Sequence, residues 1–249
     1  MNDALEPEPS PASVTEAAVA GWYGKLPSLG DFATRRLSSA FVDEWDSWLC
    51  ERLAETKLRL GERWLSVYLT CPVWHFFAMP GAIALELREC WTGVLMASVD
   101  RVGRHFPLTI AAALPRAPAT GSEIDAIWQW LGEIEKVALA ALDFDYTIER
   151  FDAQLAALPI PTMVGCEQSA PLLSTPWTAS SCAEFSGQLA KQLAPVWQTG
   201  IHGLSLWSTE QRAHEELEGE PAEHKFTIWP SCGMPDNELF TNMLLNREP

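Results

Sequence analysis

Ser98, Asp100 and His105 bring a hydroxyl, a carboxylate and an imidazole into eight consecutive residues, with Arg101 and Arg104 between them. A hydrolytic triad needs the imidazole within hydrogen-bond reach of the nucleophile and the acid behind the imidazole. Such groups are ordinarily gathered from separated elements, and no G-x-S-x-G elbow precedes Ser98. A structural role suits the run better. Asp100 can cap a turn through backbone N–H groups and pair with Arg101 or Arg104, while Gly103 permits the reversal. A third reading makes the two arginines part of a basic patch that faces a partner, since the guanidinium fork matches carboxylate and phosphate groups.

The run Gly21-Trp22-Tyr23-Gly24-Lys25-Leu26-Pro27-Ser28-Leu29-Gly30-Asp31-Phe32 is the second candidate. A phosphate loop has the spacing G-x-x-x-x-G-K-[ST], so that backbone amides curl round the phosphate and the lysine reaches it. Here only two residues separate Gly21 from Gly24, and Leu26 follows Lys25, so the loop chemistry does not fit. The run is expected to be a tight turn instead. Gly24 and Gly30 would take positive φ, Pro27 would fix the bend, and Trp22 and Phe32 would anchor it in the core. As a loop on a rigid scaffold it is also a candidate recognition element, through Trp22 and Lys25 together with Arg35, Arg36, Arg101 and Arg104. These four arginines belong to a set of only 17 basic residues. If the two segments meet in space they make one positive area; alternatively, each arginine pairs with an internal acid such as Asp31 or Asp100.

No metal or cofactor site is expected. The cysteines at 50, 71, 90, 166, 182 and 232 form no C-x-x-C pair, and the histidines at 75, 105, 202, 214 and 224 are scattered. The cysteines are expected to be buried thiols in a reducing compartment, because the acidic, proline-bearing N-terminus has no positive segment before an apolar one. Thirty-three acids against 17 bases give a net charge of −16, which argues against nucleic acid and against an anionic membrane surface as partners. Trp64–Leu85 lacks any Asp, Glu, Lys or Arg, yet Pro72 and Pro80 break it, so no membrane insertion is expected.

The elements that position these residues follow from periodicity. At 249 residues the chain is one large domain or two small ones. Residues 1–20 read as a mobile, acidic, proline-rich tail. Phe41, Trp45, Trp48, Leu49 and Leu53 mark a helix from about Ser39, and Trp64, Val67 and Tyr68 a second one ending before Pro72. Val73–Ala78, Trp91–Ser98 and Phe106–Ala113 are strands, apolar on both faces and joined closely enough to form an antiparallel meander. Ser122-Glu123-Ile124-Asp125 is read as the capped start of a helix reaching Leu142, followed by a helix over Glu149–Leu158. Trp130 falls off the stripe of Trp128 and is expected to be exposed; Trp22 and Trp91, at strand starts, are expected to be half exposed. Farther on come a loop over Pro159–Pro176, a helix over Ser181–Leu193, strands over Ile201–Trp207 and Lys225–Trp229, an exposed acidic loop over 209–224, and a short helix over Pro235–Leu245. The fold class is α/β: a single α/β/α sandwich with a mixed or largely antiparallel central sheet and helices on both faces.

The opening run through Phe32, with Arg35-Arg36-Leu37 and the helix bearing Phe41-Val42-Asp43 and Trp45-Asp46-Ser47-Trp48-Leu49, resembles the TagF family of type VI secretion-associated proteins. So does Gly93-Val94-Leu95-Met96-Ala97-Ser98-Val99-Asp100-Arg101-Val102-Gly103-Arg104-His105-Phe106-Pro107-Leu108, and so do Tyr68–Trp74 and Leu204–Trp207. The resemblance runs from Gly21 toward the C-terminus, implying a single TagF-like domain over 21–249. It further implies a cytoplasmic, non-enzymatic, post-translational repressor that binds the forkhead-associated scaffold component of the secretion pathway. The alternatives are a structural or chaperone-like accessory component of the apparatus, or an orphan hydrolase using Ser98.

Overall fold

A computed structural model describes residues 18–163, 178–198, 202–212 and 224–247. Strand β1 (Gly21–Gly24) and the short β2 (Ala33–Arg35) precede helix α1 (Ser39–Leu60). A single 3-10 turn, Gly61–Arg63, leads to α2 (Trp64–Thr70). Strands β3 (Trp74–Ala78), β4 (Cys90–Met96) and β5 (Leu108–Leu114) follow, then helices α3 (Gly121–Ala140) and α4 (Ile148–Ala156). The remaining elements are β6 (Thr178–Ala179), α5 (Cys182–Gln198), β7 (Leu204–Arg212), β8 (His224–Cys232) and α6 (Asn237–Leu244).

The eight strands form one sheet in the order β2-β1-β5-β4-β3-β7-β8-β6, and every pairing is antiparallel. The meander read from the sequence is its centre, with Phe76 opposite Gly93 and Gly93 opposite Ala111. All residues of β3 and β4 are buried, because helices cover both faces. Successive side chains feed opposite cores. Val94 and Ile110 join Trp22, Ile127, Leu131, Phe151 and Phe185 under α3, α4 and α5. Leu95 and Ala111 join Phe41, Trp45, Tyr68, Phe76, Trp207 and Phe240 under α1, α2 and α6. The sandwich is therefore the architecture that the apolar strands require.

Helix α1 starts where Ser38 accepts the N–H of Phe41 at 3.3 Å, and its Trp45 donates to Thr109 Oγ1 in β5 at 2.8 Å. That buried hydrogen bond fixes the helix to the centre of the sheet. The start of α3 lies upstream of the expected box. Thr120 is the cap, accepting from Glu123 N at 3.2 Å, while the Glu123 carboxylate takes the Ala119 N–H and the Arg116 guanidinium.

Several other expectations are corrected. Trp22, Trp91 and Trp130 are all buried. Trp130 lies on the flank of α3 in line with buried Ile134 and Val137, and the segment after α4 covers it, its indole N–H donating to Leu158 O at 3.1 Å. Of the described cysteines, 50, 182 and 232 are exposed, 71 is half-buried and only 90 is buried, because the first three fall on solvent-facing positions. Residues 209–212 and 224 belong to strands β7 and β8, which pair as far as Arg212 with His224. Most of the expected tail, proline loop and acidic loop, residues 1–17, 164–177 and 213–223, lies outside the described residues. Ordered contacts begin before Gly21: Ala20 is buried, and Ala18 O accepts from Ile160 N at 3.0 Å. No described helix is long and apolar enough to cross a membrane.

Gly93 sits where β4 and β5 approach most closely: a Cβ there would lie 2.0 Å from Ile110 O. Gly93→Ala forces the central strands apart and is expected to destabilise by about 3 kcal/mol, read as a lowered urea midpoint with an unchanged slope.

Candidate functional site

The two glycine-bearing segments singled out by sequence interlock at one end of the sheet. They cross at Gly24, which has φ 132° and where a Cβ would fall 2.1 Å from Pro107 O, so only glycine permits the approach. Beyond it the chain enters the β1–β2 loop. Leu29 N donates to Leu26 O at 2.9 Å, which puts the buried Pro27 at the second position of a tight turn. The β4–β5 loop then packs on it. Ser98 Oγ donates to Lys25 O at 2.7 Å, Arg101 N donates to Leu29 O at 2.9 Å, and an Arg104 guanidinium N–H donates to Gly30 O. Gly30 does not adopt positive φ; its contribution is that carbonyl, and a Cβ on it would meet open space.

Asp100 is the hub. Its carboxylate is buried and accepts Lys25 Nζ at 2.7 Å and Arg104 Nε at 2.6 Å on one oxygen. The other oxygen accepts the backbone N–H groups of Val102 at 3.0 Å and Arg104 at 2.8 Å. Gly103, at φ 83°, closes the turn with its N–H on Asp100 O. Burial alone would raise the Asp100 pKa, but the bonds from Lys25, Arg104 and Val102 outweigh it and hold the carboxyl well below the usual range. Asp31 is exposed and stands 3.8 Å from Arg104.

The hydrolase geometry is not present. Ser98 Oγ donates to a backbone carbonyl, Asp100 is engaged by cations, and His105 lies edge-on to Trp64 and Tyr68 at 5.7 and 5.8 Å between ring centroids. Burial, then the nearby Lys57 charge, lowers the His105 pKa. The Tyr68 hydroxyl closes the arrangement from α2, donating to Ser98 O at 2.9 Å and accepting Ser98 N–H at 3.0 Å. Among the described residues no group of His, Cys, Asp and Glu could hold a metal ion.

The six candidate contact residues separate into distinct environments. Lys25 is buried between Asp100 and the Phe32 ring, whose centroid is 4.7 Å from Nζ, and so is not a surface contact. Trp22 is fully buried against Phe151. Arg35 and Arg36 are tied to Asp152 of α4 at 2.8 and 2.7 Å, an acid that also accepts the Trp22 indole N–H at 3.1 Å. Arg36 reaches it from φ 58°, with its Nε on Ala20 O at 2.8 Å. Three of the four arginines therefore attach to two carboxylates, Arg35 and Arg36 to Asp152 and Arg104 to Asp100, instead of forming one patch. Arg101 is exposed, and its guanidinium has no ion pair among the described residues. Phe32 is not a core anchor: it is 44% exposed, stacked on Tyr23 and edge-on to Phe106. Val102, at the turn tip, is 69% exposed.

Asp152, Tyr68 and Lys57 are the contributors that sequence reasoning missed. Asp152 lies more than a hundred residues from its arginines, and nothing local marks it. Hydrogen bonding from Arg36, chiefly, and from Trp22 and Arg35 lowers its pKa from 3.8 to about 2, against the opposing effect of burial. Its contribution to stability is thus full above pH 3.8 and is lost as pH falls through about 2. Asp152→Asn leaves two guanidinium groups without a carboxylate and is expected to cost about 2 kcal/mol at neutral pH. The difference from wild type should shrink between pH 4 and 2, read from urea unfolding across that range.

Comparison with known proteins agrees with this architecture. A crystal structure of PA0076 from Pseudomonas aeruginosa PAO1 superposes with a TM-score of 0.67 at 30% sequence identity, covering 92% of this chain and 96% of that one. No curated protein matches the chain. The family model described as the TagF N-terminal domain, type VI secretion system-associated, matches residues 21–158, which hold β1 to β5, α1 to α4 and both interlocked loops. The chain belongs to that family.

Proposed function

We propose that this protein restrains type VI secretion by binding, without catalysis, and that its partner is the forkhead-associated scaffold component of the apparatus, met in the cytoplasm. The observation that carries the reading is the use made of residues 98–105. Ser98, Asp100 and Arg104, which could do chemistry, hold two loops in register, and what reaches solvent at the turn is Arg101, Val102, Phe32 and the edge of Arg104. A cation beside exposed apolar side chains on a stiff turn supports recognition over reaction chemistry. Family membership supplies the link to type VI secretion. The basic contact at the tip is Arg101, with Arg104 serving both the turn and its edge.

Deleting the protein is expected to raise effector secretion; a fall would instead favour an accessory component of the machine. In a pull-down with purified scaffold, Arg101→Glu should weaken capture at least tenfold while leaving the thermal transition unchanged. Ser98→Ala removes one buried hydrogen bond and should cost about 1 kcal/mol while secretion stays restrained. A hydrolase would lose function with that change, and undiminished scaffold capture by Arg101→Glu would remove the turn from the binding surface.

A further inference from the structure

A second surface lies where α3 turns into α4. Helix α3 stops at Ala140, short of the Leu142 expected from the sequence, and the chain turns there. Leu142 N–H donates to Leu139 O at 3.1 Å, Asp143 N–H to Ala140 O at 3.2 Å and Tyr146 N–H to Asp143 O at 3.1 Å. Asp143 Oδ1 also accepts Asp145 N–H at 3.0 Å. Ala138, Ala141 and Tyr146 are the inward side of this turn, buried in the core under α3. Leu139, Leu142 and Phe144 are left outside, 46%, 39% and 64% exposed. The first of those bonds holds Leu142 one turn from Leu139, and Phe144 follows two residues on, at most about 7 Å away along the chain. Single exposed leucines need no explanation, but three large apolar side chains within six residues of a hydrogen-bonded turn make an apolar patch.

The rim of the patch carries one sign of charge. Asp143, Asp145 and Glu149 are exposed, with no ion pair among the described residues, and 137–149 holds no Lys or Arg. The nearest cations in sequence are engaged, Lys136 with Glu133 at 2.7 Å and Arg150 over the Tyr146 ring at 4.8 Å. Helix α3 has no basic residue in its last turn, so the negative end of its dipole adds to the carboxylates. An occupant that complements this face is cationic as well as apolar. The chain's own remaining segments do not supply it: all 17 basic residues fall among the described ones, and 1–17 and 213–223 are acidic. A second copy brings a further net charge of −16, and nucleic acid or anionic lipid brings phosphates that the carboxylates repel.

We propose that Leu139, Leu142 and Phe144, rimmed by Asp143, Asp145 and Glu149, form a docking face for a basic amphipathic segment of a partner protein. The apolar side chains of that segment cover the two leucines and Phe144, and its lysines or arginines meet the three carboxylates. The face shares no residue with the β4–β5 turn assigned to the scaffold, so neither reading rests on the other and each is tested by its own variants.

The probe is a synthetic, fluorescently labelled helical peptide of leucine and lysine with its leucines on one face, titrated with the full chain at several salt concentrations and read by anisotropy. Wild type is expected to bind it, less tightly as salt rises. Phe144→Ser and Leu142→Ser should each weaken binding about tenfold without changing the salt dependence. Asp145→Lys should weaken it about as much and flatten the salt dependence; only the backbone N–H of Asp145 serves the turn, so the thermal transition should be retained. A peptide with serine in place of each leucine should bind wild type at least about tenfold more weakly, and Arg101→Glu should bind the original peptide like wild type. No binding by wild type overturns the proposal. Binding by Phe144→Ser and Leu142→Ser equal to that of wild type also overturns it, by showing attraction to overall negative charge only. A dimer in sedimentation velocity that Phe144→Ser abolishes would overturn it too, by assigning the patch to a second copy of the chain.

Discussion

The end of the sheet where the two loops interlock depends on one buried interaction, the Lys25–Asp100 pair. Neither side chain is appreciably exposed, and the ammonium lies 2.7 Å from the carboxylate. A buried pair of this kind contributes little net stability, because both ions lose their hydration. It does fix geometry, since each group left alone would be a buried charge without a partner. Asp100 must therefore collect Lys25 from one loop and Arg104 with two backbone N–H groups from the other. The tip between them, Arg101 and Val102, is held in a conformation set before any partner arrives. Phe32 completes the arrangement by covering the ammonium and packing on Tyr23 and Phe106. A pre-formed tip loses less conformational freedom on binding than a mobile one.

Asp152 does the same for the other end of β1. It gathers Arg35, Arg36 and the Trp22 indole, so that the two-strand edge β1–β2 is fastened to α4 through one carboxylate. Two carboxylates of a chain rich in acids thus organise its most arginine-dense segments, and the arginines that looked like a shared patch are mainly structural. At the turn itself, Arg101 is the cation left exposed and without an ion pair among the described residues.

Much of the frame was legible in the sequence, and the reasons are specific. Phe41, Trp45, Leu49 and Leu53 recur at helical spacing, and β3 to β5 are apolar on both faces, so α1 and the central meander follow from local pattern alone. The three residues of β2 carry no such pattern; they become a strand only because β1 lies alongside. Trp130 sits on the flank of the α3 stripe yet is buried, because the apolar stripe is wider than the one drawn through Trp128 and the segment after α4 covers its edge. At the site, the turn chemistry of Pro27, Gly103 and Asp100 is a local property of residue types. The partners are not local: Lys25 with Asp100, Arg36 with Asp152 and Tyr68 with Ser98 are joined by the fold. Expecting Trp22 and Lys25 at the surface failed for that reason, since their neighbours in space are far away in sequence.

Hydrogen–deuterium exchange of the free protein and of its complex with the scaffold tests the central claim most directly. The account predicts slow exchange at the Val102 and Arg104 amides in the free protein, because both donate to a buried carboxylate. It predicts further protection, on binding, confined to the β4–β5 turn and the β1–β2 loop packed on it. Fast exchange at those two amides in the free protein, or protection appearing instead on α3 and α4, would contradict it.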